Sequence, residues 1–270
     1  MSFNQSEFFN LGYLDYLSYK DTFIHRLDPR AKLIATLIFI FMVISFPKYE
    51  IPGLIPFFIF PIALISLADI PINIILKKLI IVSPFALMVG IFNPILDRKI
   101  LISLFGLGIS GGWISYFSII IKFILTISSV LILIATTSFP GICMAMEKLG
   151  LPSIFVLQLM FIYRYIFVLG EEVVRTNNAR ELRSFGKRGY EIFIAGSILG
   201  NLLLKTIDRS ERIYQAMCAR GFNGNINLFR KSNFKMIDFF YILILTGIFI
   251  VLRFFPVSHT LGKILITFHF

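Results

Sequence analysis

An acidic residue, an arginine, a small residue and a second arginine recur at every fourth position in two parts of the sequence. The copies lie 37 positions apart and comprise Glu171, Arg175, Ala179 and Arg183, and Asp208, Arg212, Ala216 and Arg220. An α-helix places residues with this spacing on one face. Each copy therefore predicts a helix that ends in an arginine, whose guanidinium suits bidentate pairing with a partner's carboxylate. Similar pairs decorate ordinary solvated helices, but the duplication favours a functional role.

The composition defines the surroundings in which these helices lie. Apolar residues make up 57% of the 270-residue chain, and the mean hydropathy is +0.84. These values predict an all-α integral membrane protein. The net charge of +11 comes mainly from basic residues beside apolar segments and in the polar block after residue 170. This distribution is typical of cytoplasmic loops, so we expect a lipid bilayer and no nucleic acid among the partners.

The apolar segments predict about five transmembrane helices, with long cytoplasmic helices between the fourth and the last. The predicted parts are a cytoplasmic leader (1–30), four transmembrane helices (31–137), a cytoplasmic region (138–235), a last transmembrane helix (236–255) and an outer tail (256–270). Residues 93–112 are interpreted as a glycine-bearing loop.

Residues 153–170 are apolar enough to be a further transmembrane helix. The fourth helix already returns to the cytoplasm, so a crossing here would export the basic residues that follow and violate the positive-inside rule. We therefore expect one long helix over residues 153–185, along the cytoplasmic membrane face, and a second over 191–220. Both orientations of 153–170, along the membrane and across it, stay open at this stage.

The first apolar segment begins with a helix-start signal. Asp28 suits the N-cap and Pro29 the first helical position, which predicts a helix from there to about Phe46. The basic residues Arg30 and Lys32 hold this end in the cytoplasm. Asp28 is also a candidate partner contact, although capping is sufficient to explain it.

A few other reactive or ionisable side chains stand alone in the sequence. Lys122 interrupts the fourth apolar segment, and we expect its long side chain to reach the membrane interface. Cys143 and Cys218 are isolated and are expected to be free cytoplasmic thiols. The histidines are scattered without further ligands at metal-binding spacing, so no metal site is expected. No phosphate-binding loop of the GxxxxGK[ST] type occurs, so ATP hydrolysis on this chain is not expected.

Three separated motifs resemble the transmembrane T component of energy-coupling factor (ECF) importers. They are residues 25–33, which include Asp28, Pro29, Arg30 and Lys32, residues 163–169, and residues 211–222. The likeness covers about residues 20–255 and is greatest to the CbiQ type, which serves cobalt or nickel.

The resemblance implies a non-catalytic coupling subunit in a prokaryotic cytoplasmic membrane. In that family, short signatures at the ends of cytoplasmic coupling helices dock into two ABC ATPase subunits, which bind ATP and Mg, and an apolar helix serves as the platform for a substrate-binding S component. The second signature is then Ala219, Arg220 and Gly221. The first is Leu182, Arg183 and Ser184, with Leu182 where the family usually has alanine, and Asn178, Ala179 and Arg180 form a competing assignment.

Three alternatives differ in function. A T component that imports vitamins shares the N-terminal and final motifs, so cobalt or nickel rests on the finer likeness of residues 163–169. A membrane-embedded lipid-modifying enzyme would use clustered acids, but Glu171, Glu172, Asp208 and Glu211 are better explained as helix partners of Arg175 and Arg212. A self-contained secondary transporter would need an inverted repeat of membrane helices, which the sequence lacks.

Overall fold

The computed structural model describes residues 15, 17–96, 100–104, 107–183, 191–222 and 234–254. The chain divides into two compact units, which we call the membrane unit (Asp15–Ser138 and Ser232–Phe270) and the long-helix unit (Phe139–Lys231 with Met1–Leu14). Within the described ranges the chain is helical apart from one short hairpin, which agrees with the predicted all-α class.

The elements follow one another in a simple order. In the membrane unit they are α1 (Phe23–Arg26), α2 (Pro29–Ile44), a 3-10 helix (Pro52–Phe58), α3 (Ile59–Leu67), α4 (Ile72–Gly90), α5 (Phe92–Leu96), β1 (Ile100–Leu104), β2 (Leu107–Ser110) and α6 (Gly111–Thr137). The long-helix unit contributes α7 (Phe139–Lys148), α8 (Ser153–Arg183) and α9 (Glu191–Ala219), and α10 (Met236–Phe254) belongs to the membrane unit again.

Four helical segments are long and apolar enough to cross a membrane. They are Ile72–Pro94, Gly111–Thr137, Ser153–Arg183 and Met236–Phe254, and Pro52–Leu67 is a shorter apolar helix. Together with the 16-residue α2, these segments make the chain a multi-pass membrane protein.

The predicted start of α2 is confirmed in atomic detail. The Asp28 carboxylate accepts a hydrogen bond from the Arg30 backbone N–H at 2.9 Å, and Pro29 occupies the first turn. This is an N-cap, which satisfies one of the backbone donors that a helix start leaves without an internal partner. The helix ends at Ile44, two residues earlier than the sequence predicted.

Two parts of the membrane unit differ from the sequence prediction. Residues 93–112 are not simply a loop, because β1 and β2 pair antiparallel with Leu104 opposite Leu107. The third apolar run, Leu79 to Phe92, predicts a helix that Lys77 and Lys78 precede, but α4 begins at Ile72 and includes both lysines. Apolar length alone misses these first turns, about two, because a helix continues through charged residues whenever its backbone bonds are satisfied.

An aromatic cluster forms the core of the membrane unit between α2, the 3-10 helix, α3 and α10. The Phe39 ring lies 4.5 Å from that of Phe60 and 5.3 Å from that of Phe249, measured between centroids. Phe57 joins the group, and its side chain is fully buried, as are those of Phe39 and Phe249. Tilted and edge-on aromatic pairs of this kind add to the apolar burial that holds the helices together.

In the long-helix unit, α7 packs on the first half of α8. The Phe139 ring stacks on that of Tyr163 at 4.6 Å, and Phe167 lies edge-on to Tyr163. After α7 ends at Lys148, Gly150 has a φ of +108°, which favours glycine, and the Leu151 N–H donates to the Met146 carbonyl at 3.1 Å. The long helices α8 and α9 follow the predicted ranges closely.

Candidate functional site

The first copy of the repeated motif lies on the second half of α8. Glu171, Arg175 and Ala179 all face solvent, and Arg183 is the last residue of the helix. Leu182, the unusual residue of this signature, is 81% exposed. Leu182 therefore takes no part in the core of the long-helix unit. Ser184 lies outside the described residues.

The second copy ends α9 with a glycine-dependent cap. Asp208, Arg212 and Ala216 are exposed on α9, and the helix stops at Ala219. Gly221 has a φ of +81°. Its N–H donates to the Cys218 carbonyl, and the Phe222 N–H donates to the Met217 carbonyl, both at 3.0 Å.

These two hydrogen bonds are those of a Schellman motif, in which glycine supplies the left-handed residue. The cap explains why glycine follows the arginine in this copy of the motif. Arg220 occupies the C-cap position itself and is exposed. The geometry thus presents its guanidinium at the end of a stiff helix.

The charge pairing within these helices differs from the sequence prediction. Among the described residues, no ion pair joins Glu171 to Arg175 or Asp208 to Arg212 within 4.0 Å. The Lys205 ammonium instead lies 3.0 Å from a Glu172 carboxylate oxygen, which joins α9 to α8. An exposed pair of this kind stabilises by about 1 kcal/mol or less. The pair marks a point where α9 lies beside α8, and it does not involve the motif arginines.

Both long helices carry exposed apolar side chains before their charged ends. Those on α8 include Ile154, Phe155, Ile162 and Ile166, and those on α9 include Leu199, Leu203, Leu204 and Ile207. Such a concentration of exposed apolar area requires lipid or a partner protein to cover it.

The N-terminal motif builds a second polar site, which lies inside the membrane unit. Asp238, in the first turn of α10, is 3% exposed. One of its carboxylate oxygens accepts the Asp28 backbone N–H and the other accepts the Lys235 backbone N–H, each at 2.8 Å. A single carboxylate therefore joins the N-terminal ends of α2 and α10, where the helix dipoles favour negative charge.

Lys32 ties the same end of α2 to the end of α6. Its side chain is buried, and its ammonium donates to the Thr136 carbonyl at 2.9 Å and to the His25 carbonyl at 3.3 Å. The Thr136 carbonyl belongs to the last turn of α6, where carbonyls lack helical partners and the dipole favours a cation. The prediction that Lys32 only marks membrane orientation was therefore incomplete.

His25 completes this polar site. Its Nδ1 lies 2.7 Å from the Thr22 hydroxyl oxygen, and the residue is 7% exposed. Burial lowers the pKa of His25 below its ordinary value of 6.5, and the nearby Lys32 ammonium lowers that pKa further. The neutral imidazole is thus the form that the fold accepts. We call Asp28, His25, Lys32, Thr136 and Asp238 the inner polar cluster.

The opposite end of α2 is held by two cations that the sequence analysis did not connect. The Lys122 ammonium donates to the Phe46 carbonyl at 2.5 Å, and the Arg253 guanidinium donates to the Ser45 carbonyl at 3.1 Å. Arg253 also lies over the Phe46 ring, 4.0 Å from its centroid. The long side chain of Lys122, which was expected to reach the membrane interface, thus caps the C-terminal end of α2.

Other reactive groups are few in the part of the chain that the structure describes. No cluster of three His, Cys, Asp or Glu side chains there is arranged to hold a metal ion. Cys143 and Cys218 are free thiols, the first buried and the second exposed. Burial raises the pKa of Cys143 to about 11, which keeps that thiol protonated and unreactive at neutral pH.

Comparison with known families identifies the chain. The CbiQ family, described as cobalt transport protein, matches residues 20–232. The chain therefore belongs to the CbiQ/EcfT family, and it is a membrane component of a transporter.

Individual relatives support the same family. The energy-coupling factor transporter transmembrane protein EcfT of Streptococcus thermophilus is 28% identical over 76% of this chain and 83% of its own. The nickel permease LarQ of Lactiplantibacillus plantarum is 32% identical over a shorter region, 33% of each chain. An uncharacterized protein of Methanocaldococcus jannaschii is 28% identical over 82% of this chain and 78% of its own.

Proposed function

We propose that this chain is the energy-coupling transmembrane subunit of an ATP-driven ECF-type importer. Arg183 and Arg220 dock into two ABC ATPase subunits, which bind the ATP and Mg, and this chain performs no catalysis. The apolar first half of α8 receives the membrane-embedded S component that binds the substrate. Movement of the ATPase subunits then passes through α8 and α9 to that component.

The observation that carries the proposal is the matched pair of helix ends. Arg183 is the last residue of α8, Arg220 is the C-cap of α9, and both are exposed, while the Glu172–Lys205 contact at 3.0 Å joins the two helices. One guanidinium per helix suits a pair of similar ATPase subunits, because bidentate pairing with a carboxylate is directional. Continuous helices of 31 and 29 residues supply the stiffness that a lever needs.

Chain connectivity supports placing α8 and α9 on one side of the membrane. The end of α6 and the start of α10 both meet the start of α2, through Lys32 and Asp238 respectively. An even number of crossings must therefore lie between α6 and α10. Of the two long helices, α8 is apolar enough to cross and α9 is not among the candidate spans.

A crossing by α8 alone would be odd in number, so the connectivity favours an α8 that stays on the side where α6 ends. The basic residues of this region favour the cytoplasm as that side, in a prokaryotic cytoplasmic membrane. The N-terminal leader then shares the cytoplasm with the long helices.

The proposed cargo is cobalt or nickel, carried as a substrate bound by the S component. The family description and the nickel permease relative support this choice. The alternative is a vitamin importer, because the name of the EcfT relative specifies energy coupling and no cargo. Uptake of radioactive cobalt and nickel by cells that express the complete complex would distinguish these, and uptake of neither metal would favour the vitamin importer.

Charge reversal at the helix ends tests the docking role. Arg183→Glu and Arg220→Glu should each reduce co-purification of the ATPase by at least about tenfold, because a docked guanidinium is replaced by a repelling carboxylate. The amount of chain in the membrane should not change. Arg209→Glu is the matched control, since Arg209 is exposed on α9 outside the motif. Normal co-purification and transport by both motif variants would refute the proposal.

The same assay decides between the two assignments of the first signature. Arg180→Glu should leave docking intact if Leu182, Arg183 and Ser184 form that signature. If Asn178, Ala179 and Arg180 form it, Arg180→Glu should release the ATPase and Arg183→Glu should not.

A further inference from the structure

Two residues of the inner polar cluster lie close in sequence to the two points at which the chain passes between the units. The first passage follows Ser138, and the chain re-enters the membrane unit at Ser232. Thr136, whose carbonyl accepts a hydrogen bond from the Lys32 ammonium, is two residues before the first point. Asp238, whose carboxylate accepts a hydrogen bond from the Asp28 N–H, is six residues after the second point. Both chain connections are therefore fastened to one five-residue segment at the start of α2.

The contacts at this place are stronger than those of an ordinary helix end. The Lys32 ammonium and the Asp238 carboxylate are charged, and both residues are at most 4% exposed. Hydrogen bonds with a charged partner are about twice as strong as neutral ones, and buried surroundings strengthen them further. Breaking one of them would leave a buried charge or carbonyl without its partner, which is costly.

The backbone supports the same interpretation at the first connection. Ser138 follows α6 with a φ of +64°, a left-handed conformation that is uncommon for residues other than glycine. Ser138 is 6% exposed, and its N–H donates to the Ile134 carbonyl at 3.0 Å. Strained backbone persists where the surrounding contacts determine it fully. The chain thus leaves α6 through a fixed turn beside the Lys32 contact.

We propose that Lys32 and Asp238 are positioning residues that fasten both connections of the long-helix unit to the start of α2, so that motion delivered by the ATPase moves the transmembrane helices together. Without these contacts, the end of α6 and the start of α10 would move independently of α2 and absorb the motion. This inference rests on the proposed coupling function. It assigns to the N-terminal motif a role in transmission that is separate from docking.

The test uses the complete importer complex in membrane vesicles. Lys32→Met removes the ammonium and keeps most of the side-chain volume. Asp238→Leu has a similar branched shape and removes both acceptor oxygens, so the Asp28 N–H and the Lys235 N–H lose their partner. ATPase co-purification, ATP hydrolysis and substrate uptake are measured for each variant, together with the melting temperature of the complex.

Substrate uptake per ATP hydrolysed should fall by about fivefold in both Lys32→Met and Asp238→Leu, because each variant loses the contact that joins one connection to the start of α2. Co-purification of the ATPase should not change. The matched control is Lys122→Met, which removes a similar ammonium–carbonyl contact at the other end of α2. That variant should lose melting temperature and retain its ratio of uptake to hydrolysis.

Different results of these measurements would contradict the inference and the proposed function. If Lys122→Met lowers the uptake ratio as much as Lys32→Met does, the inner polar cluster has only a structural role and the inference is wrong. An unchanged ratio in Asp238→Leu overturns it as well, and if one of the two variants does not reach the membrane, the other decides between the outcomes. If the parent chain itself does not co-purify with an ATPase, the proposed function fails, independently of the cluster.

Discussion

At the scale of single residues, His25 makes the membrane unit sensitive to pH. Because burial lowers its pKa below 6.5, the folded protein binds a proton at this site more weakly than the unfolded chain does. The contribution of neutral His25 to stability is then present above about pH 6.5 and is lost as the pH falls. The loss is at most about 1.4 kcal/mol per pH unit, the limit for one proton.

The expected result is a lower melting temperature at about pH 5.5 than at about pH 7.5, with a smaller difference in His25→Gln. The measurement is thermal unfolding of the purified chain in detergent. His259 and His269 are present in both proteins, so the change in pH dependence belongs to His25. Identical pH dependence in the two proteins would contradict the assignment of a buried neutral histidine.

Residue types predicted the local contacts of the inner polar cluster but not its distant ones. Asp28 before Pro29 indicated the N-cap, because that bond joins residues two positions apart. The partners of Lys32 and Asp28 lie 104 and 210 positions away in the chain. Such pairs depend on how helices pack, and one sequence contains no signal for them. Asp238 stands out in the sequence as an acidic residue in the first turn of an apolar helix, but this does not indicate its partner.

At the scale of elements, helix ends with a local chemical cause were predictable. Asp28 caps the start of α2, and Gly221 caps the end of α9. The β1–β2 hairpin was not predicted, because residues 93–112 combine apolar and glycine residues without clear alternation. The start of α4 was missed because apolar length was used as the guide, although Lys77 and Lys78 are compatible with a helix.

The packing of α4 against α6 depends on Gly90. A methyl group at this position would lie 2.9 Å from Cδ2 of Tyr116. The Tyr116 ring has little freedom to move, since it contacts the rings of Trp113 and Phe117. Gly90→Ala should therefore destabilise the protein by about 1–3 kcal/mol, measured by thermal or denaturant unfolding in detergent.

Gly247 on α10 provides the comparison. A methyl group there meets no atom within 4 Å, so Gly247→Ala should be neutral or should stabilise α10 by up to about 1 kcal/mol. Equal destabilisation by the two substitutions would show that loss of glycine itself, and not the contact with Tyr116, is responsible.

At the scale of the whole molecule, the two native cysteines report membrane orientation without further engineering. Cys218 is exposed two residues before Arg220, whereas Cys143 is buried with its pKa raised to about 11. A membrane-impermeant maleimide should therefore label Cys218 in inside-out vesicles and leave intact cells unlabelled. Bound ATPase should protect Cys218 at least about tenfold, because docking would cover the end of α9.

Cys218→Ser is the control for that experiment and should abolish labelling. Labelling of Cys218 in intact cells would place the end of α9 outside and overturn the proposed topology. Labelling that ATPase does not affect would preserve the topology and remove Arg220 from the docking surface.

Much of the candidate site was visible in the sequence because it is repeated. The spacing predicted that Arg183 would lie at the end of α8 and that Arg220 would follow α9. The contact that joins the helices was not predicted, since Glu172 and Lys205 lie outside the repeat. This contact depends on how the two helices pack, which a four-residue spacing within each helix does not determine.

The two cations at the end of α2 have a consequence for the depth of this helix in the bilayer. Sixteen residues give α2 a length of about 24 Å, which is less than the hydrocarbon thickness of about 30 Å. A helix that ends so early would ordinarily expose its last carbonyls to lipid tails, at a cost of several kcal/mol each. Lys122 and Arg253 supply the donors that water would otherwise provide. The short helix therefore tolerates a membrane thicker than itself, and the neighbouring helices do not have to thin the bilayer around it.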